Sequence, residues 1–150
     1  MIELAYNHSL HLLCARASGR QVAAENEKLI AAVAQLDRDG QADKQAVAFL
    51  LDLTPNVEAP DAHWRRRFAE QRNASAAPRV FNAIVTTSRL LRGVLTAMNW
   101  ISPEAAHVKS VHHATWEEAA SRIELVQGTP IAATRHLFGR LAPPPAAKTG

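Results

Sequence analysis

Ala46-Val47-Ala48-Phe49-Leu50-Leu51-Asp52-Leu53 is the stretch on which the fold turns. Seven of its eight residues are apolar, with no polar face at either a two-residue or a 3.6-residue period. It is too short and too evenly apolar for a surface helix, so it reads as a buried central strand covered on both faces. Thr54-Pro55-Asn56 ends it. A strand of this kind needs amphipathic helices on both sides of its sheet, and the flanking sequence supplies them.

Upstream, residues 21–38 carry Val22, Leu29, Ile30, Val33 and Leu36 at helical spacing. Asp39-Gly40 reads as the stop of that helix, with glycine in the usual terminal position. Before it, residues 1–6 and 10–17 read as two strands of a hairpin turned at Asn7-His8-Ser9. Downstream, Pro60-Asp61 marks a helix start, and Trp64 and Phe68, one turn apart, anchor a helix to about Arg72. Residues 80–86 form the next strand. Thr87 or Ser88 caps a helix that opens near Arg89 and aligns Leu91, Val94, Leu95, Met98 and Ile101 on one face. Gly93 inside that helix costs about 1 kcal/mol, which close packing of helix on sheet is expected to offset. Residues 107–113 read as a strand nearer an edge. Thr115-Trp116-Glu117-Glu118 is a capping box opening a helix with Trp116, Ala119, Ala120 and Ile123 as its buried stripe, ended by Gly128. Thr129-Pro130 opens a last short helix over residues 131–138, and the proline- and alanine-rich tail is expected to be disordered.

Strands alternating with helices predict an α/β domain with a mostly parallel sheet of four to five strands, right-handed crossovers and a short C-terminal helix. The main domain covers residues 1–127, a helical extension 128–140 and the tail 141–150. An apolar fraction of 47% and a charged fraction of 21% suit a globular chain. No apolar run approaches a membrane span, and the N-terminal residues lack a basic region before an apolar stretch, so neither a transmembrane segment nor a secretory signal is expected. The single cysteine, Cys14, lies in an apolar run and reads as a small buried hydrophobe. A reducing, cytoplasmic setting suits that usage.

This element order resembles STAS domains, named for sulfate transporters and anti-sigma factor antagonists, and the looser STAS/Sec14-like bacterial proteins. The residues that carry the resemblance are Val80-Phe81-Asn82-Ala83-Ile84-Val85-Thr86-Thr87-Ser88, Leu91-Arg92-Gly93-Val94-Leu95-Thr96-Ala97-Met98, and Val111-His112-His113-Ala114-Thr115-Trp116-Glu117-Glu118-Ala119. These are patterns of packing rather than of chemistry. The resemblance implies a regulatory or scaffolding domain that acts in bacterial signalling by binding a protein partner. Its alternative is a small-ligand or lipid-binding domain of the Sec14-like type. The family's phosphorylatable Asp-Ser-Ser-Gly is absent. Asp61 stands near its place, where a fixed carboxylate stabilises a helix N-terminus but cannot be switched, and Thr54 is the residue left to modify.

Charge is unevenly spread. Residues 1–62 carry a net charge of −4, residues 63–93 a net +6 from seven arginines against Glu70, and residues 94–150 a net +1. Two explanations of the arginine segment stand: a solvated helix surface, or a docking surface for an acidic partner, which arginine binds bidentately. On the second, the partner-binding residues are Thr54, Asp61, Arg65, Arg66, Arg67, Arg89, Arg92 and Trp100. Nucleic acid is disfavoured by the acidic first half and the lack of a basic, aromatic stacking surface. The last helix could instead pack on a second copy, giving a homodimer.

No catalytic motif, glycine-rich phosphate loop or paired cysteines occur, so no cofactor is expected and the chain is read as a binding domain rather than an enzyme. Carboxyl ends of the strands would carry Asp52, Thr54, Thr86, Thr87, Ser88 and His113, from which a Ser88–His113–Asp52 grouping can be drawn. Seven histidines raise the question of a metal. His112 and His113 are adjacent, and His8 and His11 three apart. On strands, both pairs point to opposite faces, so no metal site is expected.

Overall fold

The computed structural model describes residues 1–141; Leu141 is buried against the core, and residues 142–150 of the proline-rich tail lie outside the described residues. Strand β1 (Ile2–Asn7) pairs antiparallel with β2 (Leu12–Ala17). Then follow α1 (Ala23–Asp43), β3 (Val47–Asp52), α2 (Ala62–Asn73), β4 (Val80–Val85), α3 (Arg89–Ile101), β5 (Val108–His113), α4 (Trp116–Gln127) and α5 (Ile131–Phe138). The five strands lie in the order β1-β2-β3-β4-β5, and β2 to β5 run parallel. The fold is therefore α/β with a five-stranded, mostly parallel sheet, β3 in its centre and β5 at an edge.

Each crossover from β2 to β5 steps one strand in the same direction. Right-handed crossovers then lay α1, α2 and α3 on one face, and α4 and α5 return along the other. The cores divide accordingly. Leu12, Cys14, Ala48, Leu50, Ala83 and Val85 pack against Ala119, Ile123, Leu137 and Phe138. Leu13, Ala15, Val47 and Phe49 pack on the opposite face with Leu29, Leu36 and Phe68. Cys14 is fully buried, and burial pushes its thiol up to about 12, so it is an inert core residue. No helix among the described residues is long and apolar enough to cross a membrane.

The caps form where expected. Asp61 Oδ1 accepts from the Trp64 amide at 3.0 Å, Ser88 Oγ from Leu91 at 3.2 Å and Thr115 Oγ1 from Glu118 at 3.2 Å. The Glu118 carboxylate reaches back to the Ala114 amide at 3.2 Å, and Gly128 ends α4 at φ 78°. The short α5 buries Thr134, Leu137 and Phe138 on the domain's own core, with Trp116 stacked on Phe138 at 5.1 Å.

Two glycines play roles opposite to those expected. Helix α1 does not stop at Gly40; it runs through it to Asp43 and ends on Lys44 in the left-handed conformation, φ 53°. A Cβ on Gly40 would collide with Val47 Cγ1 and lie 3.0 Å from the Gln45 carbonyl oxygen and 3.2 Å from Ala77 Cβ. Glycine is there to let the helix touch the sheet, not to end it. Gly93, expected to pack closely, is exposed, with nothing within 4 Å of a Cβ built on it.

Candidate ligand-binding site

In a doubly wound sheet the site sits where strand order reverses. Strand order never reverses here, so that crevice is missing, and the polar residues at the strand ends serve local structure. Asp52 is buried and pairs with Arg16 Nε at 2.8 Å. It also accepts from the amide and hydroxyl of Thr54, at 2.9 and 2.6 Å. Thr86 is buried, with Oγ1 accepting from the Ser88 amide, while Thr87 is exposed. Ser88 caps α3, and His113 faces α4. No hydrogen bond joins Ser88, His113 and Asp52 among the described residues, so the drawn grouping is not assembled.

The arginines are dispersed rather than gathered. Arg67 makes a bidentate pair with Glu27, at 2.7 and 3.1 Å, and lies over the Trp64 ring, tying α2 to α1. Arg65 donates to the Pro60 carbonyl at 2.6 Å and Arg92 to that of Thr86 at 3.3 Å. Arg72, partly buried, donates to the Ser102 carbonyl, and loss of hydration lowers its pKa. Asp61 is spent as a cap. Arg66 and Arg89 are exposed, on different helices, and Trp100 is 79% exposed at the end of α3.

The concave feature lies over the sheet face covered by α1, α2 and α3. It is a cavity of about 470 Å³, within the range of small-ligand sites. Its floor comes from alternate residues of three parallel strands: Val47, Phe49 and Leu51 of β3, Asn82 and Ile84 of β4, and Ser110 and His112 of β5. Leu29 and Val33 of α1 and Trp64 and Phe68 of α2 close the β3 end; Leu91, Val94, Leu95 and Met98 of α3 form the roof toward β5.

The two ends differ in chemistry. The β3 end has an aliphatic and aromatic floor, with Gln21, Asn26, Glu58 and Asp61 among the residues that line its side. At the β5 end, Asn82 Nδ2 donates to Ser110 Oγ at 3.2 Å, Glu104 Oε2 accepts from the Ser110 amide at 3.3 Å, and His112 stands one register step away. Burial, reinforced by nearby Arg92, holds the His112 pKa below its usual value. At neutral pH it is an uncharged imidazole that both donates and accepts.

Helix α3 explains why the cavity exists. Its apolar arc runs from Leu90 through Ile101, Val94, Met98 and Leu91 to Leu95, wide enough to face a core. Yet Leu91 alone is buried; Val94, Leu95 and Met98 are half-buried, and Leu90 and Ile101 are exposed. The sheet beneath offers Asn82, Ser110 and His112 beside Ile84. Apolar residues pressed onto them would bury polar groups without partners, so the helix stands off.

Sequence reasoning found the α3 stripe and Trp100, and its small-ligand alternative implied a pocket between helices and sheet, but it did not identify the polar residues of the cavity floor. The available signal was the alternation on β5: Ser110 and His112 place polar groups on a face that the same reading assigns to a helix. No protein-family model, no curated protein and no solved structure matches this chain.

Proposed function

We propose that this chain is a non-catalytic binding domain whose ligand is a small amphipathic molecule, held with its apolar body over β3 and its hydrogen-bonding head over β5. The observation that carries this reading is the cavity itself: its floor is apolar over β3 and carries Asn82, Ser110 and His112 toward β5, and it is roofed by a helix whose apolar face is left half-covered. A ligand would complete the burial of Val94, Leu95 and Met98 and meet Asn82, Ser110 and His112 with its polar end. Arg72 and neutral His112 suit a head group that accepts hydrogen bonds. The cavity supports the small-ligand alternative, and several of the arginines are engaged within the chain.

The test is native mass spectrometry of tag-free protein, paired with titration by the fluorescent apolar probe anilinonaphthalene sulfonate. Trp64 lines the cavity and reports occupancy through its emission. Wild-type protein is expected to carry an added small mass or to take up one equivalent of probe. Leu51→Trp, which fills the cavity from its floor, is expected to abolish both with the fold retained. Wild-type protein that carries no added mass and takes up no probe, or a Leu51→Trp variant that binds as well, would overturn the reading.

A second reading rests on a separate observation: Leu90, Trp100 and Ile101 leave an apolar edge of α3 exposed at 74%, 79% and 86%, and Arg89 lies on the same helix. Exposed aromatic and arginine residues favour a regulatory protein partner at this edge. A single stoichiometric partner lost on Trp100→Ser or Arg89→Glu, but kept in Leu51→Trp, favours docking over the cavity.

A further inference from the structure

His8 and His11 do not lie on a strand. Strand β2 begins at Leu12, so residues 8–11 form the hairpin loop, closed by the His11 amide donating to the His8 carbonyl at 3.0 Å. His11 takes the left-handed conformation, φ 49°. That backbone turn brings both imidazoles to one side, with ring centroids 5.5 Å apart. The expectation of opposite faces was wrong because it extended the strand through His11.

The continuation of α1 past Gly40 completes the arrangement. It carries Asp39 and Asp43, one turn apart on one face, up to the hairpin loop. His8 Nε2 and His11 Nε2 both reach Asp43 Oδ2, at 3.0 and 2.8 Å. One ligand atom from each of the three residues lies within 4.8 Å of the other two. His8 also turns its other ring nitrogen, Nδ1, to Asp39 Oδ2 at 3.2 Å. Asp39 in turn accepts from the Tyr6 hydroxyl and from Gln35 Nε2, the latter at 2.8 Å.

We propose that His8, His11 and Asp43 form a binding site for a divalent transition metal, zinc in the first instance, that staples the β1–β2 hairpin to the end of α1. Two imidazoles and one carboxylate are a common zinc donor set, and a solvent-facing fourth position is open to water. The metal–ligand bonds of about 2.0–2.2 Å require only small ring rotations from nitrogens already about 3 Å from the carboxylate oxygen. Asp39 supplies what a metal-bound histidine requires. A carboxylate on the opposite ring nitrogen fixes the tautomer and raises the basicity of the ligating one. Helix electrostatics argue the same way. The last turn of α1 holds Asp43 and no basic residue, at the end of a helix where a cation is favoured and a carboxylate is not.

The experiment is calorimetric titration of tag-free, chelator-treated protein with zinc chloride, with thermal melting alongside. One equivalent is expected to bind with a Kd of about 1–10 µM. The melting temperature is expected to rise by about 5–10 °C when zinc is present at 100 times that Kd. Asp43→Asn and His8→Gln, the latter in an exposed loop, should abolish the heat and the shift. Asp39→Asn should weaken binding by about 10–100-fold while leaving the stoichiometry at one. Absence of saturable heat up to about 1 mM zinc would overturn the proposal and leave a histidine–aspartate ion-pair cluster. Binding that persists unchanged in His8→Gln and Asp43→Asn would overturn it by placing the metal elsewhere.

Discussion

The two faces of the sheet are built from the same strands, yet one is filled and the other hollow. On the α4 and α5 side, Ala119, Ala120 and Ile123 are fully buried, because alanines let the helix approach a floor of Ala48, Leu50 and Ala83. On the α1–α3 side the helices are larger-faced, and the floor turns polar toward β5. The difference lies in what each strand alternates. In β3 both parities are apolar up to the terminal Asp52, while in β5 one parity carries Val108, then Ser110 and His112. The alanine-faced α4 closes down on its floor; α3, over a floor that carries Asn82, Ser110 and His112, leaves space. In this protein the hollow face is the one that holds the cavity.

The sharpest way to break that comparison is to cut a β-branched aliphatic side chain back to alanine on each face. Ile123→Ala should cost about 2–5 kcal/mol, since the packed surroundings cannot collapse around the void. Val94→Ala, already facing a cavity, should cost less than about 1 kcal/mol in the ligand-free protein. Urea denaturation of the two variants decides it. Equal losses would mean that α3 is pressed onto the sheet in solution and the cavity is closed.

A smaller effect, with a change of sign, separates the two helical glycines on the same face. Gly40→Ala should lose about 1–3 kcal/mol, because a methyl group there meets Val47 and the Gln45 carbonyl. Gly93→Ala should gain about 0.5–1 kcal/mol, the ordinary helix preference for alanine with open space around it. Thermal melts suffice for both. A destabilised Gly93→Ala would show α3 packed more closely than its exposure indicates.

The smallest effect is in pH. His112 on the hollow face and His113 on the packed face are both held below the usual histidine pKa, chiefly by burial. With the folded pKa depressed, the stabilising contribution is whole above the unfolded value of about 6.5 and is lost as pH falls below it, because the unfolded chain takes up protons the folded one refuses. Urea midpoints should therefore fall between about pH 7.5 and pH 5.5, and His112→Asn and His113→Asn should each flatten part of the slope. A bound ligand would bury His112 further and steepen its share, leaving that of His113 unchanged.

Much of the architecture was legible in one dimension. All ten elements stand in the expected order, and Asp61, Ser88 and Thr115 cap the helices they were expected to cap, because caps and periodicity are local. Residues whose role depends on a distant partner were not legible. Gly40 reads as a stop until Val47 and Ala77 are seen beside it. Arg67 reads as an exposed cation until Glu27, forty residues earlier, comes within 2.7 Å. His8 and His11 point apart on an assumed strand and converge on the real loop.

The sequence by itself determined an α/β domain with a central strand within residues 46–53, parallel crossovers and a short terminal helix. Those features follow from hydrophobic period and turn chemistry within windows of a few residues. Only the tertiary structure decided that α3 stands off its sheet, that a 470 Å³ cavity lies beneath it, and that two histidines meet an aspartate. Each of these depends on the distance between elements far apart in the chain, and that distance is set by how all the side chains between them pack. An apolar stripe such as Leu91, Val94, Leu95 and Met98 has the same spelling whether it is pressed into a core or left above an open floor.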